Sequence, residues 1–398
     1  MRQEREKKDT GAKKAVKCPH FGKCGGCKYL QLSYEEQLAA KRRTVRELME
    51  KHCKVRPAIA AENPWHYRCK VQAVFGLDRK KRQISGVYEE KSHRILPVES
   101  CLIEDEKADA IIGSVRELLK SFKIKVYDED TGYGLLRYVL VRRAAFTGEI
   151  MVVLVTASPV FPSKKNFVEA LRRLHPEITT VVQNINDRTD SLVLGSRFQT
   201  LFGRGYIVDR LCGCSFKISP GSFYQVNPPQ AQKLYEKAIE LAGLTGRETV
   251  VDAYCGTGTI GIIAAGQAKQ VLGAESNPEA VRDAVGNARA NDVKNIRFYR
   301  EDAGRFLQGC AADGMAVDVL LMDPPRAGSS EAFLEAAACI GPKRIVYVSC
   351  NPVTLERDVA FLEKKGYRAR EVWPVDMFPW SGAVEAVCVL DRKQEKSR

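Results

Sequence analysis

The C-terminal half of the chain alternates between apolar strand-like segments and helical segments. From about Pro229 onward, each β-branched run, such as VVDAYCG or VDVLLMD, is followed by a stretch with helical spacing of apolar residues. Apolar strands separated by helices are typical of a parallel sheet that is covered on both faces. The sequence therefore predicts an α/β fold with a doubly wound, Rossmann-like sheet. Its last two strand segments, YRAREVWPVD and VEAVCVLD, have no helix between them and are predicted to pair antiparallel.

The first half of the chain has a different texture, which predicts a second domain. Short β-branched and aromatic segments, such as CKVQAVFGL and IMVVLVTA, are separated by clusters of turn residues. They predict a central α+β domain with a mostly antiparallel sheet. Ahead of it, Ser33 and Glu36 form a capping-box pattern that predicts the start of a helix. We place the domains at 18–205 and 206–398, and we expect residues 1–17 to form a basic, disordered tail.

The excess of basic over acidic residues indicates the charge of the partner that this chain binds. The 398-residue chain carries 63 Lys and Arg against 49 Asp and Glu, a formal net charge of +14, which favours a polyanion such as nucleic acid. Basic clusters at Arg79 to Arg82 and at Arg142 and Arg143 are candidate phosphate contacts, although solvated basic turns fit them equally well. The chain begins without an apolar signal segment and contains no run of about 18 apolar residues, so we expect a cytoplasmic protein.

A glycine-rich turn follows the first strand of the predicted parallel sheet. Gly256, Gly258 and Gly261 satisfy the pattern G-x-G-x-x-G, which allows a tight turn and a close approach of a ligand to the backbone. Glu275 ends the next strand, where a carboxylate binds ribose hydroxyls. Dinucleotide enzymes and S-adenosylmethionine enzymes both use this arrangement, so the pattern predicts a cofactor pocket and leaves its ligand open.

The fourth strand runs into Asp323-Pro324-Pro325-Arg326. Two prolines hold the chain extended at the carboxyl edge of the sheet, where open α/β sheets bind their substrates. An acidic residue before two prolines at this position resembles methyltransferases that act on planar nitrogen groups or bases. The alternative is a plain turn in which Asp323 caps the following helix.

The fifth strand delivers Cys350 at its carboxyl end, directly before a predicted helix. Because backbone dipoles at a helix N-terminus stabilise a thiolate, Cys350 is a candidate nucleophile that attacks at neutral pH. The alternative is a buried thiol that serves as a small apolar residue. In a methyltransferase, a thiol implies an unreactive acceptor such as C5 of uracil, which becomes nucleophilic once a thiolate has attacked C6. Release then requires a base for the C5 proton, and Glu385 is the candidate.

At this point the chain resembles a known family, the S-adenosylmethionine-dependent RNA (uracil-5-)-methyltransferases. The resemblance rests on the segments SPGSFYQVNPPQA, DAYCGTGTIG, MDPPRAG, VYVSCNPVTLERD and VDMFPWSGAVE. It implies S-adenosylmethionine as cofactor, Cys350 as nucleophile and Glu385 as base. The cofactor contacts that it implies are Gln225, Tyr254, Glu275 and Asp323. One departure is visible, because members usually carry His-Thr-x-His where this chain has Trp380-Ser381-Gly382-Ala383.

Three cysteines near the N-terminus have metal-ligand spacing. Cys18, Cys24 and Cys27 follow the pattern Cys-x5-Cys-x2-Cys, so that three thiolates could converge on one centre. Cys101 resembles the distant fourth cysteine of family members that hold a [4Fe-4S] cluster. Zinc also accepts four thiolates, but paired CxxC knuckles are more usual for it, so the pattern favours an iron–sulfur cluster. Methyl transfer needs no electrons, which predicts a structural or RNA-positioning cluster.

The resemblance also bears on the substrate. Cluster-bearing members act largely on 23S rRNA, so we expect a uridine there, with the T-loop uridine of tRNA as the alternative. A base N-methyltransferase, which needs no thiol, and a non-catalytic iron–sulfur RNA-binding protein are the other hypotheses. Relatives that carry a small β-barrel place it before the cysteines, whereas 17 residues precede Cys18 here. We therefore expect RNA contacts from the central and methyltransferase domains, and neither a membrane nor an obligate protein partner.

Overall fold

The structure is a computed structural model that describes residues 17–190 and 192–393. The tail predicted over residues 1–17 lies outside the described residues apart from Lys17. The helices in this part of the chain are α1 (Tyr34–Met49), α2 (Glu106–Ser121), α3 (Lys164–Leu174), α4 (Pro228–Ala242), α5 (Thr259–Ala265), α6 (Pro278–Ala290), α7 (Ala303–Ala312), α8 (Glu331–Ile340) and α9 (Pro352–Lys364). Among them, none is both long enough and apolar enough to span a bilayer.

The strands fall into two large sheets and one hairpin. Their bounds are β1 (Lys54–Val55), β2 (Lys70–Leu77), β3 (Gln83–Tyr88), β4 (Ile95–Pro97), β5 (Leu136–Arg143), β6 (Ile150–Thr156), β7 (Ile178–Ile185), β8 (Arg197–Phe202), β9 (Ile207–Leu211), β10 (Cys214–Ile218), β11 (Thr249–Ala253), β12 (Gln270–Glu275), β13 (Ile296–Arg300), β14 (Val319–Met322), β15 (Arg344–Ser349), β16 (Tyr367–Val375) and β17 (Glu385–Arg392). Strands β9 and β10 form the hairpin.

The eight-stranded sheet has the order β1-β16-β17-β15-β14-β11-β12-β13. Strands β11 to β15 pair in parallel, and β17 runs antiparallel to both of its neighbours. Apolar clusters cover both faces of this sheet. The predicted doubly wound sheet and the predicted antiparallel pair at its end are therefore confirmed.

The seven-stranded sheet has the order β4-β3-β2-β5-β6-β7-β8 and contains one parallel pair, β6 with β7. The mostly antiparallel sheet predicted for the central part is thus confirmed. One face packs against α2 and α3 around Ile111, Phe167 and Val152. The other face contributes Val74 and Tyr138 to the apolar cluster of the eight-stranded sheet. Both sheets contribute side chains to this one cluster, which also contains apolar residues of the β9–β10 hairpin and of α4.

Helix α1 and strand β1 lie inside the range 18–205 but pack with the C-terminal sheet. Ser33 and Glu36 form the predicted capping box at the start of α1. Strand β1 pairs in parallel with β16, and Val45 and Met49 of α1 are fully buried in the core of the eight-stranded sheet. The spatial grouping of elements therefore differs here from the order along the chain.

Candidate active site

The glycine-rich turn after β11 is built by left-handed backbone conformations. Tyr254, Gly256 and Gly258 have positive φ values of 62°, 54° and 79°. A Cβ atom on Gly258 would stand 2.7 Å from the ring of Phe298, so both the backbone and the packing require glycine there. The carboxylate of Asp252 accepts a hydrogen bond from the Gly261 amide at 2.8 Å and ties the turn to the strand. The turn is thereby held in a fixed shape.

Glu275 supports this turn from behind. Its Oε2 atom accepts a hydrogen bond from the Gly256 amide at 3.1 Å, and its Oε1 atom accepts one from the Asn277 amide at 2.7 Å. The side chain is half-buried at the end of β12. Gly256 lines the adjacent cavity. Glu275 does not line it and contacts it only through the Gly256 amide.

A cavity of about 670 Å³ opens at the carboxyl edge of the eight-stranded sheet. Of the six catalytic and cofactor-binding residues predicted from the sequence, all but Glu275 line it, namely Gln225, Tyr254, Asp323, Cys350 and Glu385. They come from four strand ends and from the loop before α4. Because the carboxyl ends of parallel strands meet at one edge, the fold brings these distant segments together.

The floor of the cavity is acidic. Burial raises the pKa of Asp323 to about 7, and burial together with the charge of Asp323 raises the pKa of Glu385 to about 8. Burial also raises the pKa of Asp252 to about 7. No cation within the described residues contributes to the pKa of any of these three carboxyls. The floor thus has a deficit of positive charge, which suits a cationic ligand.

Cys350 stands at the exit of β15, one residue before α9. Asn351 caps this helix and accepts a hydrogen bond from the Val353 amide. Burial and the charges of Glu385 and Asp323 raise the pKa of the Cys350 thiol, and Arg326 lowers it only weakly. Desolvation and the two carboxyls therefore oppose the thiolate that the helix N-terminus was expected to stabilise at neutral pH.

The segment between β16 and β17 carries Glu385 and is held by α1. Asp376 is buried and accepts hydrogen bonds from Tyr34, Gln37 and Lys41, the last at 2.5 Å. Lys41 also donates to the carbonyl of Phe378, which lines the cavity. Helix α1 thereby positions the approach to Glu385.

Trp380 occupies the first position of the motif in which this chain departs from the family. It is 4% exposed, has a φ of 67° and stacks on Trp65 with the ring centroids 4.4 Å apart. Its carbonyl accepts hydrogen bonds from the amides of Lys28 and Tyr29, next to the N-terminal cysteines. Ala383, at the position where the sequence resemblance implies a histidine, lies on the cavity wall. This loop is thus anchored to the cysteine segment.

The four predicted cluster cysteines lie in one neighbourhood. Cys18, Cys27 and Cys101 pack around the same small apolar cluster, which also contains Trp380. Burial, followed by the charges of Cys101, Cys24 and Cys18, raises the pKa of the Cys27 thiol to about 12. Over residues 17–190 and 192–393, no group of three or more His, Cys, Asp or Glu side chains has a geometry that could hold a metal ion.

Sequence reasoning missed several residues of the cavity. Asp252 ends β11 in the same segment as the glycine turn, and its position at a strand end was the available signal. Tyr235 projects from α4, and desolvation raises the pKa of its hydroxyl. Phe223 lines the mouth of the cavity and is 75% exposed. Nothing in the helical pattern of α4 singles out Tyr235, since its direction depends on tertiary packing.

The chain is similar to a family profile and to RNA methyltransferases from two bacteria. The family profile described as tRNA (Uracil-5-)-methyltransferase matches residues 33–393. An uncharacterised RNA methyltransferase of Halalkalibacterium halodurans is 44% identical over 381 residues, which cover 94% of this chain and 83% of that protein. One from Caldanaerobacter subterraneus is 43% identical over 380 residues, which cover 94% of this chain and 84% of that protein.

A solved structure is also similar. Pyrococcus abyssi tRNA (uracil-54, C5)-methyltransferase in complex with S-adenosyl-L-homocysteine has 28% identity and a TM-score of 0.76. The match covers 92% of this chain and 85% of that one. The α/β fold of S-adenosylmethionine-dependent methyltransferases is therefore confirmed.

Proposed function

We propose that this chain, which belongs to the tRNA (uracil-5-)-methyltransferase family, methylates C5 of a specific uridine in 23S rRNA. The reaction proceeds through a covalent bond between Cys350 and C6 of the uracil. S-adenosylmethionine-dependent methylation of RNA uracil is the activity common to the family. The observation that carries the mechanism is the meeting of a thiol and two carboxyls, Cys350, Glu385 and Asp323, in one cavity.

S-adenosylmethionine supplies the methyl group as a positively charged sulfonium. The acidic floor of the cavity fits that charge, since its carboxyls lack a cation of their own. We assign the contacts with this cofactor to Gln225, Tyr254 and Asp323 on the cavity wall, and to Glu275 through the glycine turn that it supports.

The chemical steps assign one role to each reacting side chain. Cys350 gives up its proton to a neighbouring carboxylate or water, and its sulfur bonds to C6 while the C5–C6 π electrons move toward O4. C5 of the resulting enolate bonds to the methyl group, whose bond to the sulfonium sulfur breaks so that S-adenosylhomocysteine leaves. Glu385 then removes the C5 proton, the C5=C6 double bond reforms, and the Cys350 thiolate leaves. The raised pKa of Glu385 suits a group that must hold a proton at the end of the cycle.

The mechanism is tested with RNA that contains 5-fluorouridine. Fluorine cannot leave as a cation, so the methylated adduct should stay bound through Cys350 and migrate with the protein on a denaturing gel. A base N-methyltransferase or a non-catalytic RNA-binding protein would form no such band. Absence of the band with active enzyme would therefore overturn the thiol mechanism.

The choice of 23S rRNA rests on the resemblance of the cysteine pattern to the cluster-bearing branch of the family. The T-loop uridine of tRNA is the second candidate, because the similar Pyrococcus abyssi enzyme is named for uracil-54 of tRNA. Mass mapping of total RNA from a deletion strain separates the two. Loss of a methyl group from a 23S rRNA uridine is expected, and loss from tRNA would replace this assignment.

A [4Fe-4S] cluster held by Cys18, Cys24, Cys27 and Cys101 belongs to the same proposal. Its support is chemical, because four thiols share one neighbourhood, where burial and then the charges of the other three cysteines raise the pKa of Cys27. The four sulfur ligands of a four-iron cluster lie farther apart than the ligands of a single metal ion. The geometry of a single-ion site is therefore not required here. Protein purified without oxygen should be brown and hold about four irons, and Cys24→Ser should bleach it. One zinc and no visible absorbance would overturn the cluster.

A further inference from the structure

Two basic side chains lie next to each other on neighbouring strands of the seven-stranded sheet. Lys70 on β2 is paired in register with Arg142 on β5. Arg142 is 1% exposed, and both of its terminal nitrogens donate to the carbonyl of Ser222 at 3.1 Å. Its Nε atom is buried without a hydrogen-bond partner. Lys70 is half-buried. The structure thus places two positive charges together in a partly desolvated position.

No carboxylate balances this pair within residues 17–190 and 192–393. The pKa of Lys70 is lowered to about 8 by burial and by Arg142. Burial lowers the pKa of Arg142 to about 10, and the groups that raise it are the thiol of Cys69 and the hydroxyl of Tyr224. Buried charges are normally paired, so an unpaired pair of cations indicates that the partner anion comes from outside the chain.

The pair lies beside the mouth of the active-site cavity. The amide of Cys69 donates to the carbonyl of Val226 at 2.8 Å, so β2 begins against the loop that carries Phe223 and Gln225. Both of these side chains line the cavity, and Phe223 follows directly after Ser222, which Arg142 holds. An RNA strand whose base enters the cavity must run past this loop.

We propose that Lys70 binds a backbone phosphate of the RNA strand whose uridine enters the cavity, with Arg142 as a positioning residue. This inference rests on RNA being the substrate. Lys70 is the side chain that can reach the solvent, whereas Arg142 is covered and acts by holding the Ser222 carbonyl and adding positive charge. A phosphodiester fits because it is a compact, permanent anion that occurs at every nucleotide. The contact is therefore independent of base identity and fixes the register of the strand.

The test measures how salt weakens binding of a fluorescein-labelled 12-nucleotide oligouridylate. Each phosphate contact on a single strand contributes about 0.7 to the slope of log K against log salt. Lys70→Ala should bind several-fold more weakly at low salt and lose about 0.7 of that slope. Lys70→Arg keeps the charge and should retain the slope. Lys269→Ala is the matched control. This exposed lysine lies just before β12, at the edge of the eight-stranded sheet that is opposite the cavity.

Binding of S-adenosylhomocysteine checks that Lys70→Ala is correctly folded. An unchanged salt slope in a folded Lys70→Ala variant would overturn the phosphate contact even if the wild-type enzyme methylates RNA. A wild-type enzyme that transfers no methyl group to uracil in RNA would instead overturn the proposed function. The two failures are therefore distinguished by different measurements.

Discussion

Cys350 and Glu385 face the same cavity, and both have raised pKa values. Near neutral pH the thiol and the carboxyl therefore both hold protons. Activation must come from whatever enters the cavity, because a positive charge there would favour the ionised forms of the two groups. Binding of a cationic ligand should therefore lower the pKa values of Cys350 and Glu385.

Replacement of the thiol tests the nucleophile. Cys350→Ala should lower the rate of methyl transfer by on the order of 10⁴-fold or more, because the variant lacks the thiol that bonds to C6. Binding of S-adenosylhomocysteine should stay close to that of the wild type. Cys339→Ala, which changes an exposed thiol on α8, is the control. Substantial turnover by Cys350→Ala, measured with radiolabelled methyl groups, would exclude the thiol mechanism.

Replacement of the base separates attack from release. Glu385→Gln should still form the bond to C6 and accept one methyl group, but the adduct cannot collapse until the C5 proton leaves. Single-turnover labelling should therefore show labelled methyl on the protein band of a denaturing gel. Glu301→Gln changes an exposed carboxyl and is the control.

Two other outcomes of that experiment are informative. Free methylated RNA at the normal rate would assign the base role to another group or to water, since Ala383 leaves no imidazole at the cavity wall. Loss of all adduct would mean that Glu385 orients the uracil before Cys350 attacks.

The raised pKa of Glu385 also predicts how stability depends on pH. The folded state keeps this proton up to about pH 8, whereas the unfolded carboxyl loses it near its ordinary pKa of 4.5. The contribution of Glu385 to stability is thus present at low pH and lost as pH rises toward about 8. Wild type should therefore lose up to about 1.4 kcal/mol per pH unit relative to Glu385→Gln within this window. Urea unfolding across the pH series measures the difference, and parallel curves would contradict the raised pKa.

At the scale of elements, helix α1 connects the N-terminal segment to the loop that carries Glu385. Lys41 and Asp376 form a buried ion pair, with side chains 1% and 0% exposed. Such a pair is a weak source of net stability when complete, but removing one partner leaves a buried charge alone. The helix therefore controls the position of a loop that is distant in sequence.

Lys41→Met tests this connection. The variant should lose about 3–5 kcal/mol of unfolding free energy, because Asp376 is left buried without its cation. Methyl transfer should fall as the loop near Phe378 and Glu385 loses its anchor. Arg43→Met, an exposed change on the same helix, is the control. The double variant Lys41→Met with Asp376→Leu should recover part of the stability, and urea unfolding that shows no recovery would argue against a specific pair.

At the scale of the whole molecule, the two sheets share one apolar cluster. Val74 and Tyr138 from the seven-stranded sheet pack in the same cluster as Leu234 and Val250 from the C-terminal half. In addition, α1 and β1 complete the core and the edge of the eight-stranded sheet. Separating the two halves of the chain would therefore uncover apolar surface on both of them.

This shared core predicts one cooperative unfolding transition for the full chain. Calorimetry should give a single peak whose calorimetric and van't Hoff enthalpies agree. The fragment 206–398 expressed alone should aggregate, because it lacks α1, β1 and the covering face of the seven-stranded sheet. Two separate peaks for the full chain, or a stable and soluble fragment, would show that the halves fold independently.

The parallel sheet, the antiparallel pair at its end and the convergence of the site residues could all be predicted from the sequence. The physical reason is local: apolar periodicity selects strands and helices, and parallel strands all end at one edge. Asp323 and Cys350 could therefore be predicted to meet at that edge, and both line the cavity.

The charges that surround those residues, and the distant segments that hold them, became visible only in the folded arrangement of the chain. The Cys350 pKa depends on two carboxyls from other strands, and the place of α1 depends on a bond from Lys41 to Asp376, 335 residues away. The unpaired charges of Lys70 and Arg142 are likewise visible only once burial is known. Electrostatics and burial act through space, so no periodicity along the chain could have indicated them.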